Sequence, residues 1–121
     1  MSNILVTGGL GFIGSNFISK IIDKENLIVN VDSETYASID KSFLNFDSNQ
    51  NYRYYNIDIT DYQKINEIIK KYSFDIIFHF AAESHVDNSI ESSFEFCNTN
   101  VIGTLNLLES YNKLDKKHKL F

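Results

Sequence analysis

Residues 6–16 read VTGGLGFIGSN, with Gly8, Gly11 and Gly14 spaced three apart between two apolar stretches. Upstream, NILVT (3–7) is a short β-rich run of buried-strand character. Downstream, FIGSNFISKIIDK (12–24) sets Phe12, Ile13, Phe17, Ile18, Ile21 and Ile22 on one face at helical spacing. A GxxGxxG array between a strand and a helix meets three needs. It gives a turn free of Cβ atoms, lets the backbone approach a diphosphate closely, and packs the helix tightly on the sheet. The exposed amides of the helix start then take the negative charge. The plainer alternative is a tight turn with no ligand, but three spaced glycines carry more freedom than such a turn requires.

The alternation continues along the chain. LIVNVD (27–32) is a second strand closed by an acid, and a polar segment from Ser33 to Asn51 follows, with a helical turn around DKSFLNF (40–46). YRYYNI (52–57) reads as a third strand and TDYQKINEIIKKY (60–72) as a helix. Thr60 or Asp61 caps that helix, and its lysines sit late, where the helix dipole favours them. DIIFHFA (75–81) is apolar on both faces, as a central parallel strand is. SSFEFCNTNVIGTLNLLESYNKL (92–114) is a long helix, and Leu120-Phe121 has the look of a new strand's first apolar pair. The expected fold is α/β, a doubly wound parallel sheet of Rossmann type with strand order 3-2-1-4. A ligand belongs at the carboxyl ends of strands 1 and 4, where the order reverses.

Bulk properties narrow the partners. The chain has 121 residues, fits one domain, and carries a net charge of −5 with Arg53 its single arginine. That balance argues against nucleic acid, whose phosphates need a basic face. No apolar run is long enough to cross a membrane, and no basic leader precedes the first strand. Cys97 is the single cysteine and cannot form an internal disulfide, which points to a reducing, cytoplasmic setting. Its neutral surroundings mark it as a packed side chain, not a nucleophile.

Asp32 closes the second strand eighteen positions after Gly14. A carboxylate there accepts both ribose hydroxyls of an adenosine and repels a 2′-phosphate, which favours NAD over NADP. Capping the strand end is its plainer role. Asp58 and Ile59 follow the third strand at the same edge. Asp58 either accepts from an adenine amino group, with Ile59 covering the ring, or only starts the next helix. Glu83, His85 and Asp87 alternate, but alternation on a loop rarely converges on one ion, so no metal site is expected. His79 in its apolar strand reads as a satisfied core histidine, and His118 among lysines as solvated.

TGGLGFIG (7–14), VDSETYAS (31–38), HFAAESHVDNSI (79–90) and NTNVIGTLNLLE (98–109) together resemble the extended short-chain dehydrogenases/reductases. AAESHVD is the most specific element; it resembles the nucleotide-sugar 4,6-dehydratases, and within them the dTDP-glucose group. The resemblance covers nearly the whole chain but only the opening third of such a protein, so the fold is expected to lack the later strands and the substrate domain. It implies NAD contacts from Phe12, Ile13, Asp32, Ser33, Glu34, Thr35, Asp58, Ile59, Phe80, Ala81, Ala82, Glu83 and Thr99, beside Gly8, Gly11 and Gly14, and a sugar contact from Ser84. Gly103 is expected to let the last helix pack closely on the sheet. The chain departs from the family pattern at Ser33, Ser38-Ile39 and Asn88.

The reaction so implied removes hydride from C4 of a glucosyl unit to NAD, eliminates water across C5 and C6, and returns the hydride to C6. Its Tyr-x-x-x-Lys pair is absent, since no tyrosine has a lysine four places on, and its Thr-Asp-Glu element falls on the strand that Leu120 begins. No catalytic residue is therefore expected here, and 1–121 reads as the first portion of an NAD-binding domain, inactive alone. A nucleotide sugar is expected as partner only once the remaining part is supplied. An open fourth strand invites self-association or a complementary chain. The competing expectations are a non-catalytic NAD-binding subunit of a split protein, another NAD-dependent sugar-nucleotide epimerase or dehydratase, and an unrelated doubly wound domain such as a methyltransferase core.

Overall fold

The structure is a computed structural model that describes residues 2–23, 25–33, 50–81, 94 and 98–121, with Asn98 and Thr99 described by backbone alone. Four strands, β1 (Asn3–Thr7), β2 (Leu27–Asp32), β3 (Tyr52–Asn56) and β4 (Ile76–His79), form one sheet in the order β3-β2-β1-β4. All three pairings are parallel, with Val6 opposite Asn30 and Phe78, and Thr7 opposite Val31 and His79. The helices are α1 (Phe12–Ile21), α2 (Tyr62–Tyr72) and α3 (Gly103–Asn112). A π-helical turn, Asn98–Ile102, leads into α3.

The inner strands β1 and β2 bury both faces, as a parallel sheet does where crossover helices cover each side. On one face Ile4, Val6, Ile28 and Tyr52 pack on Ile18 of α1, with Phe17 against Phe78 and Phe80 at ring separations of 4.5 and 5.3 Å. On the other, Leu5, Val29, Val31 and Ile77 meet Ile65, Ile68 and Ile69 of α2 and Leu107 and Tyr111 of α3. Alternate residues of β1 thus serve opposite layers, the consequence of the two-residue pleat.

The helix ends follow local chemistry. Asp61 caps α2, its Oδ1 accepting from the Lys64 amide at 3.3 Å. Thr60 instead donates through its amide and hydroxyl to Asp58 Oδ1 at 2.9 and 2.8 Å. Ser73 closes the helix in the left-handed region at φ 49°. The terminal lysines are not all solvated: Lys119 Nζ donates to the carbonyls of Tyr111, Asn112 and Leu114, and Lys116 pairs with Asp75. The Lys119 bonds answer the carbonyl end of α3, where cations are favoured. His118 is exposed, as its lysine surroundings imply.

Several expectations are corrected. Phe12 and Ile13 do not join the buried face of α1; they are 76% and 68% exposed, because at about 100° per residue they point away from the face of Gly14, Ser15 and Ile18 that the helix buries. The long last helix is shorter in its α part, and its start among residues 92–97 lies outside the described residues except at Phe94. The turn expected at 40–46 also lies outside them. β4 does have a neighbour on its far side: Leu120 bridges to Ile76 in parallel, accepting from the Ile77 amide at 2.9 Å and donating to the Asp75 carbonyl at 3.2 Å. At the place where the sequence expects a new strand, Leu120 thus forms an isolated bridge. Among the described residues, no helix is long and apolar enough to cross a membrane.

Buried Asn106 ties α3 to the β3–α2 turn by donating from Nδ2 to the Ile59 carbonyl at 3.0 Å. Asn106→Leu keeps the volume and removes the donor, so it should cost about 1–3 kcal/mol. Urea unfolding checks this, and an unchanged midpoint would show that the bond contributes nothing.

Candidate dinucleotide site

The site is assembled from the turn that joins β1 to α1. Gly8 turns the chain at φ +72°, and a Cβ there would lie 2.6 Å from the Ala81 nitrogen and 2.7 Å from the Phe80 carbonyl carbon. Both obstacles are backbone, so nothing can move aside. Gly14 is equally constrained, since a Cβ on it would collide with the carbonyl oxygen of Gly8. Gly11 is not: its Cβ would meet only that oxygen, at 3.3 Å. Of the three spaced glycines, the first and last are demanded by sterics.

Four successive amides of the turn find acceptors within the protein. Gly8 donates to the Val31 carbonyl at 2.8 Å, Gly9 to Asn30 Oδ1 at 3.0 Å, Leu10 to Asp32 Oδ2 at 3.0 Å, and Gly11 to the Gly8 carbonyl at 3.1 Å. The first helical bond runs from the Ser15 amide to the Gly11 carbonyl. Between them the amides of Phe12, Ile13 and Gly14 have no acceptor within the helix, as at any helix start. Gly11 supplies no side-chain cap, and no acid stands in the first turn. These three amides stand at the positive end of the helix dipole, where an anion is favoured.

Asn30 is a residue that motif reading overlooks. It is fully buried inside β2, and while its Oδ1 holds Gly9 its Nδ2 donates to the Tyr52 hydroxyl at 3.0 Å. Asn30 and Asp32, two apart on the same face of β2, therefore carry the glycine turn as a pair. The available signal was a lone amide in an otherwise apolar strand, LIVNVD, two places before the acid.

Across the switch point, Phe80 donates its amide to the Thr7 carbonyl at 2.9 Å and Ala81 donates to Thr7 Oγ1 at 3.2 Å. Ala81 is half-buried and small where the strand end meets the turn. His79 is satisfied on both nitrogens, with Nδ1 2.6 Å from Thr7 Oγ1 and Nε2 2.8 Å from Thr104 Oγ1. Burial lowers its pKa below the ordinary histidine value.

The remaining expected residues are placed as follows. Ser33 is exposed just past β2, and Asp58 is exposed with one oxygen organising the turn before α2. Ile59 is buried against Gly103, whose missing Cβ lets α3 approach it and not the strands themselves. Glu34, Thr35, Ala82, Glu83 and Ser84 lie outside the described residues, as do His85 and Asp87 and the departures Ser38-Ile39 and Asn88. Thr99 is described only as backbone in the π turn.

Because Gly8 faces backbone at a positive φ, Gly8→Ala should cost at least about 2 kcal/mol. Gly11→Ala should cost much less. Denaturant midpoints of the two variants check the contrast, and equal losses would contradict the asymmetry of the turn.

Comparison with known proteins agrees with this geometry. The chain is 44% identical over 110 residues to a dTDP-glucose 4,6-dehydratase of Haemophilus influenzae, covering 90% of this chain and 32% of that protein. Among solved structures it is similar to the dTDP-glucose 4,6-dehydratase of Bacillus anthracis in complex with NAD, at TM-score 0.80 and 36% identity, covering 93% of this chain and 34% of that one. It is also similar to a UDP-glucose 4-epimerase of Thermotoga maritima with UDP-glucose, at TM-score 0.77 and 33% identity, covering 89% and 33%. The chain thus spans about a third of the length of the relatives it matches. One family model, described as GDP-mannose 4,6 dehydratase, matches residues 5–121, and the chain belongs to that family.

Proposed function

We propose that residues 1–121 are the first portion of an NAD-binding domain, the dinucleotide-binding segment of a nucleotide-sugar 4,6-dehydratase of the dTDP-glucose type. The observation that carries this reading is the pairing of an uncapped helix start at Phe12 with Asp32, whose carboxylate is anchored beside it through the Leu10 amide. A diphosphate fits the amides of Phe12, Ile13 and Gly14, and adenosine hydroxyls fit the Asp32 carboxylate. Ser33, Glu34, Thr35, Asp58 and Ile59 stand on the adenosine side of this arrangement in sequence, and Phe80, Ala81, Ala82, Glu83 and Thr99 on the side where β4 ends. Bound there, the nicotinamide ring would supply the acceptance and return of a hydride. The chain's own residues bind and orient; among them no Tyr-x-x-x-Lys pair is present to move a proton. Ser84 is proposed as a contact to the sugar of a nucleotide-sugar substrate, in a protein that also contains the remaining two thirds found in the relatives. A reducing, cytoplasmic setting fits the single cysteine.

A second reading is favoured by the sheet edge. Among the described residues, the one pairing on the outer side of β4 is the bridge from Ile76 to Leu120. An edge of this kind accepts a strand from another chain, and the outer side of α3 adds exposed Leu105 and Leu108. A complementary chain, or a second copy, would complete such a binding subunit on the part of this edge that Leu120 does not pair.

Calorimetry with NAD and NADP tests the first reading. The chain should bind NAD in preference to NADP, and Asp32→Ala should weaken NAD binding about 10- to 100-fold. That variant should also narrow the gap between the two dinucleotides, whereas a purely structural aspartate would weaken both alike. No heat with NAD, or equal affinity for the two, would remove the reading. For the second, sedimentation velocity at high micromolar concentration should show species larger than the monomer; a single monomeric boundary would count against an edge that seeks a partner.

A further inference from the structure

The polar contacts around His79 define its protonation state. Thr104 Oγ1 donates its one proton to the Asn100 carbonyl at 2.8 Å, so toward the ring it can only accept. His79 Nε2 must then carry the hydrogen. In the neutral ring Nδ1 is left as the acceptor, and the Thr7 hydroxyl donates to it. With its proton so directed, Thr7 Oγ1 turns a lone pair to the Ala81 amide. Ala81 in turn is the backbone against which Gly8 lies. A continuous run of contacts leads from α3 through β4 and β1 to the glycine turn.

We propose that His79 is a positioning residue of the dinucleotide site, holding the end of β4 against the glycine turn through the hydroxyl of Thr7. The proposal rests on the reading of that site as NAD-binding. Protonating Nδ1 turns it from acceptor to donor and leaves the Thr7 hydroxyl proton without its partner, which loosens the hold on Ala81. Among the described residues, the groups facing the ring are Thr7 of β1, Thr104 of α3 and the Phe121 ring at 6.1 Å. None of these side chains is an acid or base, and burial is what favours the neutral form. The sign follows: the folded state holds the proton more weakly than the unfolded chain does. Stability and site order are therefore full above about pH 6.5 and fall away as acid is added below it.

The test uses the isotopically labelled 121-residue chain, with NAD itself as probe. Ring nitrogen shifts should show the Nε2–H tautomer at neutral pH. On acidification from about pH 7.5 to about pH 5, the Gly8 and Ala81 amide signals should move with the His79 titration. NAD affinity should fall about fivefold or more over the same range, and by linkage saturating NAD should shift the His79 titration to lower pH by the logarithm of that factor. In His79→Asn, whose Oδ1 retains an acceptor toward Thr7 and does not titrate, the pH dependence of affinity should flatten. Gly8 and Ala81 amides that ignore the His79 titration, or a His79→Asn profile as steep as the wild type, would overturn the proposal. A chain that never binds NAD refutes the site reading by a different result, and the amide signals then still decide whether His79 governs the turn.

Discussion

Three backbones meet at Gly8. The turn leaving β1 lies against the end of β4 on one side and the first turn of α1 on the other, and there is no space for a Cβ at Gly8 or Gly14. Such contact is possible only because those positions are bare, and it brings a helix start and a strand end together at the turn that Asp32 holds. Tight packing here sets the helix start, whose first amides the helix cannot satisfy internally, next to a turn that Asp32 holds through Leu10. A looser turn would leave the same groups present but uncoordinated.

The turn is also braced from below. Asn30 and Asp32 accept from successive amides, Gly9 and Leu10, and Asn30 is itself fixed by Tyr52 of β3. A buried amide with both ends paired costs little and specifies one geometry, whereas an unpaired one would cost far more. Asp32 thus carries the loop through one of its carboxylate oxygens. On the far side of the switch point Thr7, His79 and Thr104 perform a similar task for β4. Polar side chains at the strand ends thus stabilise the crevice, while the apolar middles of the same strands hold the sheet in its two layers.

The C-terminal segment adds a fastening that composition alone would not suggest. Lys116 and Lys119 draw the chain back over Asp75 and the end of α3, and this return delivers Leu120 to the outer side of β4. A net charge of −5 says nothing of these local pairings, because two lysines near carbonyls and one acid act over a few ångströms.

Strand order, the alternation of strands and helices, the glycine turn and the acid closing β2 were all legible in the residues, because each rests on local periodicity or on a residue type with a singular backbone property. The cap of α2 was legible down to a choice between Thr60 and Asp61. What the residues alone left undecided depends on neighbours distant in the chain. The outward aim of Phe12 and Ile13 follows from helical phase once Gly14, Ser15 and Ile18 face the sheet, and that choice of face is made by packing. Asn30 under Gly9, and His79 between Thr7 and Thr104, are partnerships across 21 to 72 positions, which only the folded sheet brings within hydrogen-bonding reach. The sequence determined that a bare glycine turn would join β1 to a helix start; the tertiary structure decided which of its amides are already held, since only packing reveals which donors have acceptors.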